Sequence, residues 1–123
     1  MTMKRRQVGL AGEKEARIYL LSNGYEIIET NYSCPLGEID IVAREQENIV
    51  FIEVRTRTGL SFGGPEESID YKKGQRLRRL AYYYLKTLSV NEQSCRIDLI
   101  AVRLKKKDLS LQHLNHIKGI LAD

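Results

Sequence analysis

Cysteine is scarce in this chain of 123 residues: Cys34 and Cys95 stand far apart, outside any C-x-x-C spacing. A disulfide framework is therefore not expected, and reduced thiols in a cytoplasmic protein are the default. His113 and His116 lack a third and fourth ligand at convincing spacing. A zinc site with the two cysteines would need four dispersed residues to converge. No segment reaches the ~20 apolar residues of a membrane span, and no continuous apolar stretch follows the charged Met1–Arg6, which excludes a secretory leader as the expectation. Gly59, Gly63 and Gly64 do not follow the G-x-x-x-x-G-K-[ST] order of a phosphate loop. Neither a Ser/His/Asp nor a Cys/His nucleophile arrangement is readable, and there are no internal repeats. The chain is expected to form one cytoplasmic domain over residues 1–123.

What is present is a mild excess of positive charge, +4, which leans towards a polyanionic partner. The apolar pattern predicts a helix from about Gly9 to Asn23, stopped by Gly24, with Leu10, Ala11, Ile18, Leu20 and Leu21 as its apolar set. A strand is predicted over Tyr25–Tyr32, broken by Cys34-Pro35-Leu36-Gly37. Two more follow at 37–43 and 49–57, and Thr58–Pro65 is the expected mobile loop. A second helix runs from Glu66 or Asp70 to Leu88. Leu77, Leu80, Ala81, Tyr84, Leu85 and Leu88 form its core-facing stripe. Strands at Cys95–Leu104 and Leu109–Ile117 complete an order α-β-β-β-α-β(-β). The expected class is α/β, a central mixed sheet flanked by helices, with the strand of Glu53 parallel to Cys95–Leu104 through the helical crossover.

The two middle strands carry acids inside apolar runs, which is uncommon without a partner. Alternation places Glu38, Asp40 and Val42 on one face and Ile39, Ile41 and Ala43 on the other. Phe51, Glu53, Arg55 and Arg57 likewise share a face. With a two-residue turn at Gln46-Glu47, Asp40 lies directly opposite Glu53, at a Cβ separation of roughly 4.5–5.5 Å. Two carboxylates so close repel and raise a pKa, a conflict that a divalent cation removes. From spacing alone, a metal site and a simple ion pair with Arg55 or Arg57 both remain open. Asp98 is expected to be structural, anchoring Arg96 or a loop amide.

The second helix has a different signal. Lys72, Arg76, Arg79 and Tyr83 lie at i, i+4, i+7 and i+11, away from the apolar stripe, with Lys73, Gln75, Arg78 and Tyr82 beside them. Asp70 is the only acid from there to Leu88, so i,i+4 pairing does not account for these cations. Cationic rows bind phosphate backbones, and tyrosines offer stacking faces to unpaired bases. Nucleic acid is the expected partner, through Lys72, Lys73, Arg76, Arg79 and Tyr83. The Lys105-Lys106-Lys107 run reads as a polar turn.

These residues together resemble a known family. An acid ending one strand, then acid-x-basic on the next, resembles the PD-(D/E)XK nuclease superfamily. Gly12-Glu13 with Ala16, Asn31-Tyr32, Gly37-Glu38-Ile39-Asp40, Val50-Phe51-Ile52-Glu53-Val54-Arg55, Phe62-Gly63, Arg96-Ile97-Asp98 and His116-Ile117 are similar, more closely, to a YraN-like family of small bacterial endonuclease-type proteins. That family is related to archaeal Holliday junction resolvases. The resemblance implies a restriction-endonuclease-like core, with Asp40 and Glu53 binding Mg²⁺ or Mn²⁺ and Glu13 as a third acid. It implies phosphodiester hydrolysis on branched or structured nucleic acid, most naturally DNA, and suggests a homodimer. Arg55 stands where the superfamily usually has lysine. Arginine stays protonated and cannot be the general base, although it can position water or stabilise charge on phosphate. Either a metal activates water without a protein base, or hydrolysis is weak or absent. The rival expectation is a non-catalytic DNA- or RNA-binding module that retains the fold, and a third is a protein-interaction domain with a basic face.

Overall fold

The computed structural model describes residues 2–59, 70–88 and 94–120, with side chains from Arg5 onwards. Its elements are α1 (Thr2–Ser22), β1 (Glu26–Cys34), β2 (Gly37–Glu45), β3 (Asn48–Thr58), α2 (Tyr71–Thr87), β4 (Cys95–Leu104) and β5 (Leu111–Ile117). The expected order is found, with both final strands. Five strands form one sheet in sequence order; β3 and β4 run parallel, and every other neighbouring pair is antiparallel. Most of the expected Thr58–Pro65 loop, Phe62-Gly63 and the earlier helix start at Glu66 lie outside the described residues. Among those described, no helix is long and apolar enough to cross a membrane.

The helices cover opposite faces of the sheet. Ala16 and Leu20 of α1 pack on Ile41, Ala43, Val50, Ile52, Val54, Ile100, Val102 and Leu104. Leu77, Leu80, Ala81 and Tyr84 of α2 pack on Ile39, Val42, Ile49, Phe51 and Ile97. The α2 stripe is as expected except at its end, where Leu85 is only partly buried and Leu88 is an exposed C-cap. Asp70 caps the start, accepting the Lys73 amide at 2.8 Å.

The first helix departs further from its sequence pattern. It begins seven residues earlier than Gly9, because Lys, Arg and Gln propagate a helix without any apolar signature. Leu10, Ile18 and Leu21 are exposed, whereas the small Gly12 and Ala16 face the sheet. A Cβ at Gly12 would lie 1.9 Å from Thr56 Oγ1 and 2.8 Å from Thr56 Cβ. Glycine here sets how closely α1 approaches β3. The helix ends as expected, with Gly24 at φ 84° and the Tyr25 amide bonded to the Leu20 carbonyl at 3.0 Å, a Schellman closure.

Beneath the α1 side lies a polar knot. Asp98 is fully buried and accepts from Arg96 Nε at 2.9 Å and the Gly119 amide at 3.0 Å, with His116 Nε2 at 2.7 Å. Arg96 also donates to Glu45 at 2.9 Å and to the Tyr25 hydroxyl at 2.7 Å, while the Tyr19 hydroxyl meets His116 Nδ1 at 2.9 Å. Burial pushes the Asp98 carboxyl up, but the bonds from His116, Arg96 and Gly119 outweigh it and hold the pKa below its usual value. The structural role expected of Asp98 is the one it has: it ties α1, the strand ends and the segment after β5 together.

Replacing Gly12 with alanine is expected to cost about 1–3 kcal/mol, as an overpacked contact does. Adding Thr56→Ala should recover only part of that, because the Thr56 Cβ is itself in the way. Urea unfolding of the single and double variants measures both effects.

Candidate metal and nucleic-acid site

The site is built where a sheet ladder stops. β2 and β3 pair from Glu45↔Asn48 to Ile41↔Ile52, as a two-residue turn at Gln46-Glu47 requires. The next position along that register sets Asp40 against Glu53. Pairing ends there, so β3 continues from Glu53 to Thr58 without β2 alongside. The Asp40 carboxylate takes the missing strand's place: the Val54 amide donates to its Oδ2 at 2.8 Å. A buried amide at an open edge needs such an acceptor.

A break in the preceding hairpin positions this carboxylate. Thr30 pairs with Ile41 and Tyr32 with Ile39, which leaves Asn31 opposite Asp40 with left-handed backbone, φ 52°. Asparagine tolerates that conformation better than most residues. Ile39 consequently packs with Val42 on the α2 side, not with Ile41 on the α1 side. The simple alternation expected through 38–43 is thus corrected: it fails at Asp40, where β2 stays paired with β1 but parts from β3.

The acids perturb one another. Burial raises the Glu53 carboxyl to a pKa of about 7, and the adjoining Asp40 adds to this against the pull of Arg55. Burial also raises Asp40, only partly offset by the Val54 amide and Arg55. The two side chains are hydrogen-bonded in a manner that favours a proton on Glu53. Glu13 on α1 is raised too, by burial and then Asp40, against Arg17 and with Glu38. Glu38, which sequence reasoning left outside the site, therefore belongs to its field. Among the described residues no three His, Cys, Asp or Glu side chains are arranged to hold a metal ion. The donors present are the Asp40–Glu53 pair, with Glu13 nearby. That set suits a hard cation bound by one or two carboxylates plus water and phosphate.

Cations line the same edge. Arg55 Nη2 lies 2.8 Å from Glu53 Oε2, yet its Nε and Nη2 are buried without a hydrogen-bond partner. The contact is ionic, and both nitrogens are shielded from solvent. Lys73 Nζ lies 3.9 Å from Glu53 Oε2. Gly37, Glu38, Asp40, Glu53, Lys73 and Arg76 share a cleft of about 280 Å³. Lys72, Arg76, Arg79 and Tyr83 are all exposed along α2, as their spacing indicated. Lys73 departs from that row and turns into the acid cleft, a placement that α2 periodicity alone did not reveal.

Raised carboxyl pKa values make stability fall as pH rises. Glu53 goes from an ordinary 4.5 to about 7, so the folded state holds more protons between those values. Its stabilising protonation is present below about 4.5 and is lost by about 7. Glu53→Gln should flatten the melting temperature between pH 5 and pH 8, leaving the variant more stable than the wild type by several degrees at pH 8. An unchanged slope would place the proton elsewhere.

The chain resembles proteins of similar size along nearly its whole length. It is 55% identical over 108 residues to a UPF0102 protein of Moorella thermoacetica, covering 88% of this chain and 90% of the relative. A UPF0102 protein of Desulforamulus reducens is 45% identical over 123 residues, covering 98% and 100%. One from Caldanaerobacter subterraneus subsp. tengcongensis is 40% identical over 115 residues, covering 94% of each. The model of the uncharacterised protein family UPF0102 matches residues 12–102, a span that holds Glu13, Asp40, Glu53, Arg55 and all of α2. The chain belongs to the UPF0102 family.

Proposed function

We propose that this protein is a divalent-metal-dependent nuclease acting on structured or branched DNA. The observation that carries this reading is the Asp40–Glu53 pair at the open edge of β3, with Arg55 and the exposed α2 cations beside it. Asp40 and Glu53 would hold Mg²⁺ or Mn²⁺, with Glu13 towards its water shell. When bound, such an ion polarises a phosphoryl oxygen and activates water.

The chain's own groups supply the rest. Lys72, Arg76 and Arg79 hold the phosphate backbone, and Tyr83 offers a stacking face. The Arg55 guanidinium, set 2.8 Å from Glu53, stabilises charge building on the phosphoryl oxygens. Arg55 takes no proton, because guanidinium stays charged. Lys73, set against Glu53, is placed to orient water or give a proton to the leaving oxygen. The resemblance to junction resolvases favours branched DNA and a homodimer, by analogy. Free Cys34 and Cys95 accord with a cytoplasmic location.

One observation favours a second reading. Arginine at position 55 removes the strand lysine, and a non-catalytic nucleic-acid-binding module would tolerate that change. Such a module predicts salt-sensitive binding that needs no metal, and activity gained only on Arg55→Lys.

Cleavage of branched, single-stranded and duplex DNA with Mn²⁺ tests the proposal. Glu53→Ala should lose on the order of 10²-fold or more, the scale of several kcal/mol of metal-borne stabilisation. Cutting that persists unchanged in the variant would overturn the assignment.

A further inference from the structure

A second cleft opens on the other side of the β3 edge. It measures about 410 Å³ and is lined by Arg5, Val8, Gly9 and Glu13 of α1 and by Val54 to Arg57 of β3. Three arginines face one glutamate there, so the lining is positive even with Glu13 ionised. Gly9 carries no side chain, and a Cβ at that position would meet nothing within 4 Å, which leaves the floor open. Arg5 and Arg57 are exposed and have no ion-pair partner among the described residues. Arg55 links the two clefts: it lines this one while touching Glu53, which lines the acid cleft.

From this geometry we infer that the Arg5/Arg55/Arg57 cleft is a phosphate subsite, and that a nucleic-acid strand crosses the open edge of β3 between α1 and α2. The inference rests on the nucleic-acid reading above and adds a second binding face to it. Asp40 and Glu53 repel a phosphate except through a cation, so a strand passing them needs positive charge on both sides. α2 provides it on one side through Arg76. On the other side α1 and the end of β3 are adjacent, and Arg5 and Arg57 stand there without ion-pair partners among the described residues. Arg55 lines the same cleft and adds a third positive charge to it.

The test is the salt dependence of binding to a fluorescein-labelled duplex carrying a single-stranded tail. It compares wild type, Arg5→Ala/Arg57→Ala, Arg5→Lys/Arg57→Lys and Arg76→Ala/Arg79→Ala, with melting temperatures as the folding control. In the first alanine pair the slope of log K against log salt should weaken by about 0.7–0.9 for each phosphate left unneutralised. The lysine pair should restore it, since a point charge suffices for counterion release. A slope unchanged in Arg5→Ala/Arg57→Ala but weakened in Arg76→Ala/Arg79→Ala overturns the subsite while leaving the α2 face intact. Wild type that binds no nucleic acid, or slopes unmoved by either alanine pair, overturns both the subsite and the reading beneath it. A slope weakened in the first pair and restored by lysine, without loss of melting temperature, supports the crossing path.

Discussion

The hydrogen bond from the Val54 amide to Asp40 is the constraint on which the candidate site depends. A strand that outruns its neighbour leaves amides with nothing to bond. Here a side chain, not a strand, accepts the first of them. That choice fixes an anionic group at the end of the β2–β3 ladder and brings it against Glu53. Burial and then the adjoining Asp40 raise the proton affinity of Glu53, and Arg55 and Lys73 gather around the result. The candidate metal-binding and substrate-binding features follow from one local failure of sheet pairing, set up by the left-handed backbone at Asn31.

The rest of the molecule holds that edge still. α1 can lie close to β3 because Gly12 has no side chain where Thr56 stands. This proximity places Glu13 in the field of Asp40. On the opposite face, the packing of Leu77 and Leu80 orients α2 so that Lys73 and Arg76 reach the acid cleft. The Asp98 knot does its work elsewhere. It faces the α1 side, and its carboxylate is saturated by Arg96, His116 and Gly119, so it has no capacity left for chemistry. Two buried acids in adjacent strands thus have opposite fates, decided by whether their partners satisfy them.

Much of this could be read in the sequence. Hairpin register followed from turn length and the period of two, and the parallel pairing of β3 with β4 followed from the intervening helix. The α2 stripe was legible because large apolar residues mark its packed face. α1 was less so: small residues make its contact with the sheet, and hydrophobicity patterns weight the large residues, Leu10, Ile18 and Leu21, that face outward. The break at Asn31 and Asp40 carries no periodic signal, so the side reversal at Ile39 was hidden. Lys73 was legible as a cation but not as a partner of Glu53, since that depends on the docking angle of α2. Arg5 sits in a run with no apolar pattern, and its cleft exists only once the helix continues back through it.

If the Asp40–Glu53 pair is a metal site, the proton it holds near neutrality must leave when a divalent cation enters. Titration calorimetry with Mn²⁺, run about one pH unit below the Glu53 pKa of about 7 in buffers of different ionisation enthalpy, measures this directly. The expected result is binding that releases close to one proton, with both binding and release lost in Glu53→Gln. Failure to bind Mn²⁺, or binding without proton release that survives in the variant, would contradict it.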